Sequence, residues 1–206
     1  AMYYSNNTAT PFTNTNVAVG FESLRGSTTP AANTGLQNTS IGYQALLNNT
    51  AGEQNTATGM NGLYSNTTGV YNSANGTKAL WLNTTGNFNA AFGAYAVENN
   101  VTGTSNLGVG TSALRANVAG SNATAIGTNA MYYANNTATP FTNTNVAVGF
   151  EALRGSPTAS TNTGINNTAL GYQTLLNNTT GSNNTANGYY SLRSNTTGEY
   201  NVANGM

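Results

Sequence analysis

The sequence predicts an all-β repeat protein, a β-solenoid or β-roll with about 17 residues per coil and 22-residue variants. Three observations predict it. A signature of the form Asn-x-Ala-x-Gly returns with a period of about 17 residues through most of the chain. No segment carries apolar residues at the i, i+3, i+4, i+7 spacing over three turns, which disfavours helix. Apolar residues are also too scarce for an ordinary globular core: Leu, Ile, Val and Phe number 33 of 206, against 37 Asn and 35 Thr.

With the leading Asn as the first position, units begin at Asn16, Asn38, Asn55, Asn72, Asn89, Asn106, Ala123, Asn145, Asn167, Asn184 and Asn201. Most units keep the basic period, and those starting at 16, 123 and 145 are the 22-residue variants. Their extra segment follows the tenth position and brings proline and additional Thr or Ser, as in RGSTTPAANTG and YANNTATPFTN. These insertions read as loops leaving one edge of a regular stack. A longer period lies above the first, because residues 1–77 align with 130–206 at an offset of 129 with 55 identities. The chain 1–206 is therefore read as a single continuous repeat array without separate domains. It holds one super-repeat, 1–129, and a partial copy, 130–206, and is expected to be a window cut from a longer array.

Each unit position has its own character. The fifth is Gly in every unit (Gly20, Gly42, Gly59, Gly76, Gly93, Gly110, Gly127, Gly149, Gly171, Gly188 and Gly205), which predicts positive φ or close backbone approach. The third is Ala except at Ser40 and Gly108, so it faces a space with room for little more than a methyl group. The ninth is apolar, as at Leu46, Leu63, Leu80 and Val97, and is the predicted core. The Asn-Thr-Thr-Gly run at Asn66–Gly69 and Asn195–Gly198 reads as a short extended segment entering a turn, so each unit is expected to hold two extended segments and two turns. Stacking would set Asn over Asn and Thr over Thr, and such ladders stabilise stacked strands.

Composition narrows the function classes. The chain has no His, Cys or Asp, so the usual zinc sites, catalytic triads, thiol nucleophiles and EF-hand loops cannot be assembled; no cofactor, metal or catalytic residue is expected, and no enzyme. The five Glu residues are far apart in sequence and share unit positions only across many coils, which does not favour a paired-carboxylate site. Five scattered cations give nucleic acid no basic footprint, and no apolar run is long enough for membrane insertion. Glu22-x-x-Arg25 and its copy Glu151-x-x-Arg154 are expected to be exposed ion pairs of small value. Of the abundant Asn-x-Ser/Thr sequons, Asn66, Asn83 and Asn195 are candidate glycosylation sites. Sequons also fall at Asn6 and Asn135. A Thr column at Thr67, Thr84, Thr179 and Thr196 raises a distant ice- or glycan-binding alternative, interrupted at Val101 and Val118.

One Leu and a few Ala make a thin core for a whole ordered coil, so lateral association would help. Large residues at the sixth and tenth positions, including Phe21, Tyr43, Phe150, Tyr172 and Tyr189, then Tyr64, Trp81 and Tyr132, are the candidate interface; the alternative is a solvated face of single aromatics.

The units NTSIGYQALLNNTAG, NTATGMNGLYSNTTG and NTALGYQTLLNNTTG resemble the repeats of tail-fibre-like proteins of phages, large viruses and bacteria that often end in an endosialidase-type chaperone domain. The segment ATAIGTNA, 123–130, is similar to head repeats of trimeric autotransporter adhesins, although their repeat is shorter than the unit found here. The resemblance implies an elongated homotrimer, extracellular, at a cell surface or on a virion, forming a structural and adhesive shaft. Contact with a cell-surface glycan or protein would fall to parts outside this chain. The alternative is a single-chain repeat that self-assembles into an extracellular filament.

Overall fold

The computed structural model describes residues 2, 13–134, 136–158 and 161–206. Each coil contributes one short strand at its second to fourth positions. These strands are Val17–Val19, Thr39–Ile41, Thr56–Thr58, Ser73–Asn75, Ala90–Phe92, Leu107–Val109, Thr124–Ile126, Val146–Val148, Thr168–Leu170, Thr185–Asn187 and Val202–Asn204. All eleven join one parallel sheet in chain order, which makes the fold a β-solenoid. Register follows the repeat: Ala57 lies beside Ala74, Ala74 beside Ala91, and Ala169 beside Ala186.

The longer units rejoin the sheet without slipping, since Val17 pairs with Thr39 and Thr124 with Val146. Their extra residues must therefore leave the coil and return. In the first such unit the Asn33 side chain closes the excursion: the Ser27 amide donates to its Oδ1 at 2.8 Å, and its Nδ2 donates to the Ser27 carbonyl at 2.9 Å. Asn162 makes the same pair of bonds with Ser156, each at 3.0 Å. The expected loops are found at these two units. The third insertion differs, because Phe141–Thr142 returns to pair with Gly120–Ser121 in a second short parallel ladder.

Alternation along each strand turns the central residue inward. Ala57, Ala74, Ala91, Ala125, Ala147, Ala169 and Ala186 have no exposed surface, and neither do the ninth-position residues Leu46, Leu63, Leu80, Val97, Leu114 and Leu175. These two columns form the predicted core. Where the third position is Ser40, a hydroxyl partner is supplied from the coil before: Ser23 Oγ donates to Ser40 Oγ at 2.7 Å, and Ser40 Oγ donates to the Ala45 carbonyl at 2.8 Å. A buried polar substitution is thereby satisfied inside the stack.

The backbone departs from expectation in two places. The Asn-Thr-Thr-Gly corner is not a strand. In its first copy the amides of Thr50, Ala51 and Gly52 all donate to the single Thr67 carbonyl at 3.0 Å, so the chain curls around one acceptor and turns. Beside the leucine column, side-chain-bearing residues adopt positive φ at the seventh and ninth positions, as at Gln44 (53°), Leu46 (49°), Lys78 (55°) and Leu80 (52°). The last position of the unit does the same at Gln54 (55°), Tyr71 (58°) and Phe88 (57°). Each such residue costs about 1–2 kcal/mol. Bonds to both neighbouring coils offset that cost: Gln44 N–H donates back to the Phe21 carbonyl and Leu46 N–H donates forward to the Gly62 carbonyl, both at 2.9 Å.

Candidate functional surface

Two columns of Asn side chains are turned into the stack, whereas among the described threonines only Thr174 is buried. The leading Asn of each coil bonds its copy and a neighbouring corner at once. Asn55 N–H donates to Asn38 Oδ1 at 2.9 Å, and Asn55 Nδ2 donates to the Gly69 carbonyl at 2.8 Å. The pattern repeats at Asn72, Asn89, Asn167 and Asn184, each of them buried. At the coil that begins with Ala123 the missing amide is replaced from an unexpected place. Asn143 Oδ1 accepts from Asn145 Nδ2 at 2.8 Å and from Asn145 N–H at 3.3 Å. Nothing in the repeat frame marks this role, because Asn143 lies in the inserted segment, just before the next unit starts at Asn145.

A second ladder runs through the corner. Asn66 Nδ2 donates to Asn49 Oδ1 at 2.7 Å, Asn83 Nδ2 to Asn66 Oδ1 at 2.9 Å, and Asn100 Nδ2 to Asn83 Oδ1 at 2.8 Å. The same nitrogens donate to Gly69, Gly86 and Gly103 carbonyls at 3.0 Å. The sequons at Asn66 and Asn83 therefore sit with no exposed surface, their amide nitrogens engaged inside the folded coil. Asn195 is half-buried, and its Nδ2 donates to Asn178 Oδ1 at 2.8 Å and the Gly198 carbonyl at 3.1 Å. Asn6 and Asn135 lie outside the described residues. The Thr column is partly consumed too: Thr67, Thr84 and Thr179 hydroxyls donate to carbonyls of the next coil at 3.0–3.1 Å.

The eleven fifth-position glycines all have positive φ, from 107° at Gly205 to 141° at Gly42. In ten of them an added Cβ would stand less than 3.0 Å from the backbone of the next coil, and only at Gly205 does it meet nothing.

Charges pair where stacking allows. Arg25 reaches Glu22 at 2.9 Å and Arg154 reaches Glu151 at 3.2 Å, all four side chains only partly exposed. A glutamine from the following coil completes each cluster: Gln44 Nε2 donates to Glu22 and Gln173 Nε2 to Glu151, both at 2.6 Å. The hydrogen bond from Gln44, ahead of the nearby Arg25, holds the Glu22 carboxyl below its ordinary value. A third pair, Arg115 Nε to Glu98 Oε2 at 2.5 Å, joins adjacent coils. Its signal was present in the sequence, since the two residues occupy the tenth position of successive units. Arg115 also lies over the Tyr95 and Tyr132 rings at 5.2 and 5.6 Å, and Lys78 over Trp81 at 4.6 Å. Among the described residues no three carboxylates gather as a metal site would need.

Among the side chains left open to solvent are rows of stacked aromatic rings. Phe21 stacks on Tyr43 at 5.5 Å, Phe150 on Tyr172 at 5.2 Å, Tyr172 on Tyr189 at 5.1 Å, and Tyr71 on Phe88 at 5.0 Å, all within 13° of parallel. Each of these rings is exposed. Tyr64, Trp81 and Tyr132 are half-buried instead, packed along the edge with the cations. No helix among the described residues is long and apolar enough to cross a membrane. No family model, curated protein or solved structure matches the chain. Its geometry is that of a β-solenoid repeat protein whose coils are held together by like side chains meeting like.

Proposed function

We propose that this chain is a shaft segment of an extracellular or virion-associated fibre, three chains packed side by side, that spaces or displays a target-binding part without catalysing a reaction itself. The observation that carries the reading is the unbroken parallel register from Val17 to Asn204, maintained by two buried Asn ladders. Such a stack has a fixed rise and lengthens by copying one coil, so eleven strands at about 4.8 Å spacing make a rod of roughly 48 Å. The Asn columns are spent on the stack itself, while exposed aromatics supply surface for neighbours. Native mass spectrometry of the chain, with electron microscopy of the same sample, tests this. Three laterally packed chains are expected. A filament one chain wide, growing in length with concentration, would favour end-to-end assembly instead.

A further inference from the structure

We propose that the outer face of the sheet is a bivalent self-association surface occupied by a second copy of this chain. This rests on the fibre reading and names the face and spacing it uses. The fourth and sixth positions of each coil flank the turn glycine and project outward. In the early coils they carry Val19, Phe21, Ile41, Tyr43 and Met60, exposed by 43–64%. Each has a counterpart one super-repeat later, at Val148, Phe150, Leu170, Tyr172 and Tyr189, and the last four of these are exposed by 38–48%. Between the patches the stripe is mixed: the fourth column runs Asn75, Phe92, Val109 and Ile126, and the sixth thins to Thr77, Ala94, Thr111 and Thr128, so the apolar surface is concentrated at the two ends.

Three properties fit a second copy. The rings already stack within the chain at 5.1–5.5 Å, so little side-chain freedom remains to be lost on docking. Neither patch contains a charge, and the nearest carboxylates, Glu22 and Glu151, are paired with Arg25 and Arg154, so identical faces do not repel. Area supplies the third. With about 150–250 Å² for an aromatic side chain, these exposures leave roughly 400 Å² of apolar surface per patch. One patch falls short of the roughly 800 Å² per partner of a standard interface, and two together reach it. The patches are seven coils apart, roughly 34 Å at the spacing of parallel strands. Two rigid rods side by side, parallel and in register, bring both into contact at once, and the second contact forms at high effective concentration.

Sedimentation velocity and native mass spectrometry of the 206-residue chain test the assignment. The variants are Tyr43→Ser with Met60→Thr in one patch, and Tyr172→Ser with Tyr189→Thr in the other. The control is Tyr71→Ser with Phe88→Ser, which removes an exposed stack off the stripe. Either patch variant should raise the dissociation constant by roughly 100-fold, the loss expected when a bivalent contact becomes monovalent. The control should change it only a few-fold, with unaltered circular dichroism in all three. Tyr172→Lys adds a second reading: association should weaken at low salt and recover partly at high salt. Association that ignores both patches, or falls equally in the control, overturns this assignment and leaves the fibre reading standing. A chain that stays monomeric at high concentration overturns both.

Discussion

Replacing Gly76 by Ala places one methyl group where the structure has no space. Gly76 has a φ of 139°, and its Cβ would stand 2.5 Å from the Gly93 carbonyl oxygen and 3.1 Å from the Ala94 nitrogen. A side chain in that backbone region costs about 1–3 kcal/mol. Relief requires the two coils to separate, weakening the bond from Gly93 N–H to the Asn75 carbonyl at 2.8 Å and its neighbours, at about 1 kcal/mol each. The expected destabilisation is roughly 3–5 kcal/mol. Gly62→Ala is the control, just after the turn glycine Gly59 of the preceding coil. There the new Cβ would meet Ala57 Cβ at 3.6 Å and Ala74 Cβ at 3.9 Å, ordinary contacts, and the next coil already carries the buried Ala79 at that position. Gly62→Ala should be neutral or stabilise by up to about 1 kcal/mol, through lost unfolded-state freedom and one more buried methyl group. Guanidinium denaturation followed by circular dichroism gives the totals. Amide hydrogen exchange locates the damage, which should centre on the coils starting at Asn72 and Asn89 because each coil contacts only its neighbours. Equal stability of the two variants would refute the reasoning about both φ and inter-coil approach.

Removing an amide from the corner ladder should be felt on both sides. Asn83→Ala strands Asn66 Oδ1 and one hydrogen of Asn100 Nδ2, while the Gly86 carbonyl keeps the bond from Asn72 Nδ2; it should lower stability by about 2–4 kcal/mol in thermal or chemical unfolding, since each unpaired buried group costs about 1–3 kcal/mol before relaxation. Asn143→Ala should destabilise by about 1–3 kcal/mol, and adding Ala123→Asn should recover part of it by restoring the amide to its usual place; a double-mutant cycle measures the coupling. Acid sensitivity is expected at the Glu22 cluster. Its carboxyl is depressed from 4.5 in the folded chain, so its contribution is full above about that pH and is lost as pH falls through the lower folded value. Carboxyl chemical shifts across pH 6 to 2, a range centred roughly on the carboxylate pKa, should show the early coils loosening in step with Glu22 protonation, and Gln44→Leu should move that titration upward.

Much of the fold was legible because a stacked coil repeats its physical environment along with its sequence. The turn glycines, the small third position and the ninth-position Leu column could be read from recurrence alone, since each must meet its own copy one coil away. Asn ladders followed from the same logic. The Glu98–Arg115 pair was legible in principle, as opposite charges at one unit position are spatial neighbours. What recurrence could not convey was local backbone shape. Thr-rich corners favour extended structure by propensity, yet Thr50, Ala51 and Gly52 converge on one carbonyl, because closing so short a coil requires a turn there. Leu46 and its copies adopt left-handed φ that their side chains disfavour, and bonds to two neighbouring coils compensate for it.

The sequence by itself determined the period, the parallel register and the identity of the core columns. Any one-residue slip would carry Ala57 or Ala74 out of the interior and set unlike residues against each other. Tertiary structure alone decided which amides are buried, which insertion re-enters the stack, and which side chains face outward. Those outcomes depend on how neighbouring coils share hydrogen bonds. Asn143 shows the difference: its carbonyl oxygen fills the gap left at Ala123 only because the inserted segment returns to lie beside Gly120–Ser121.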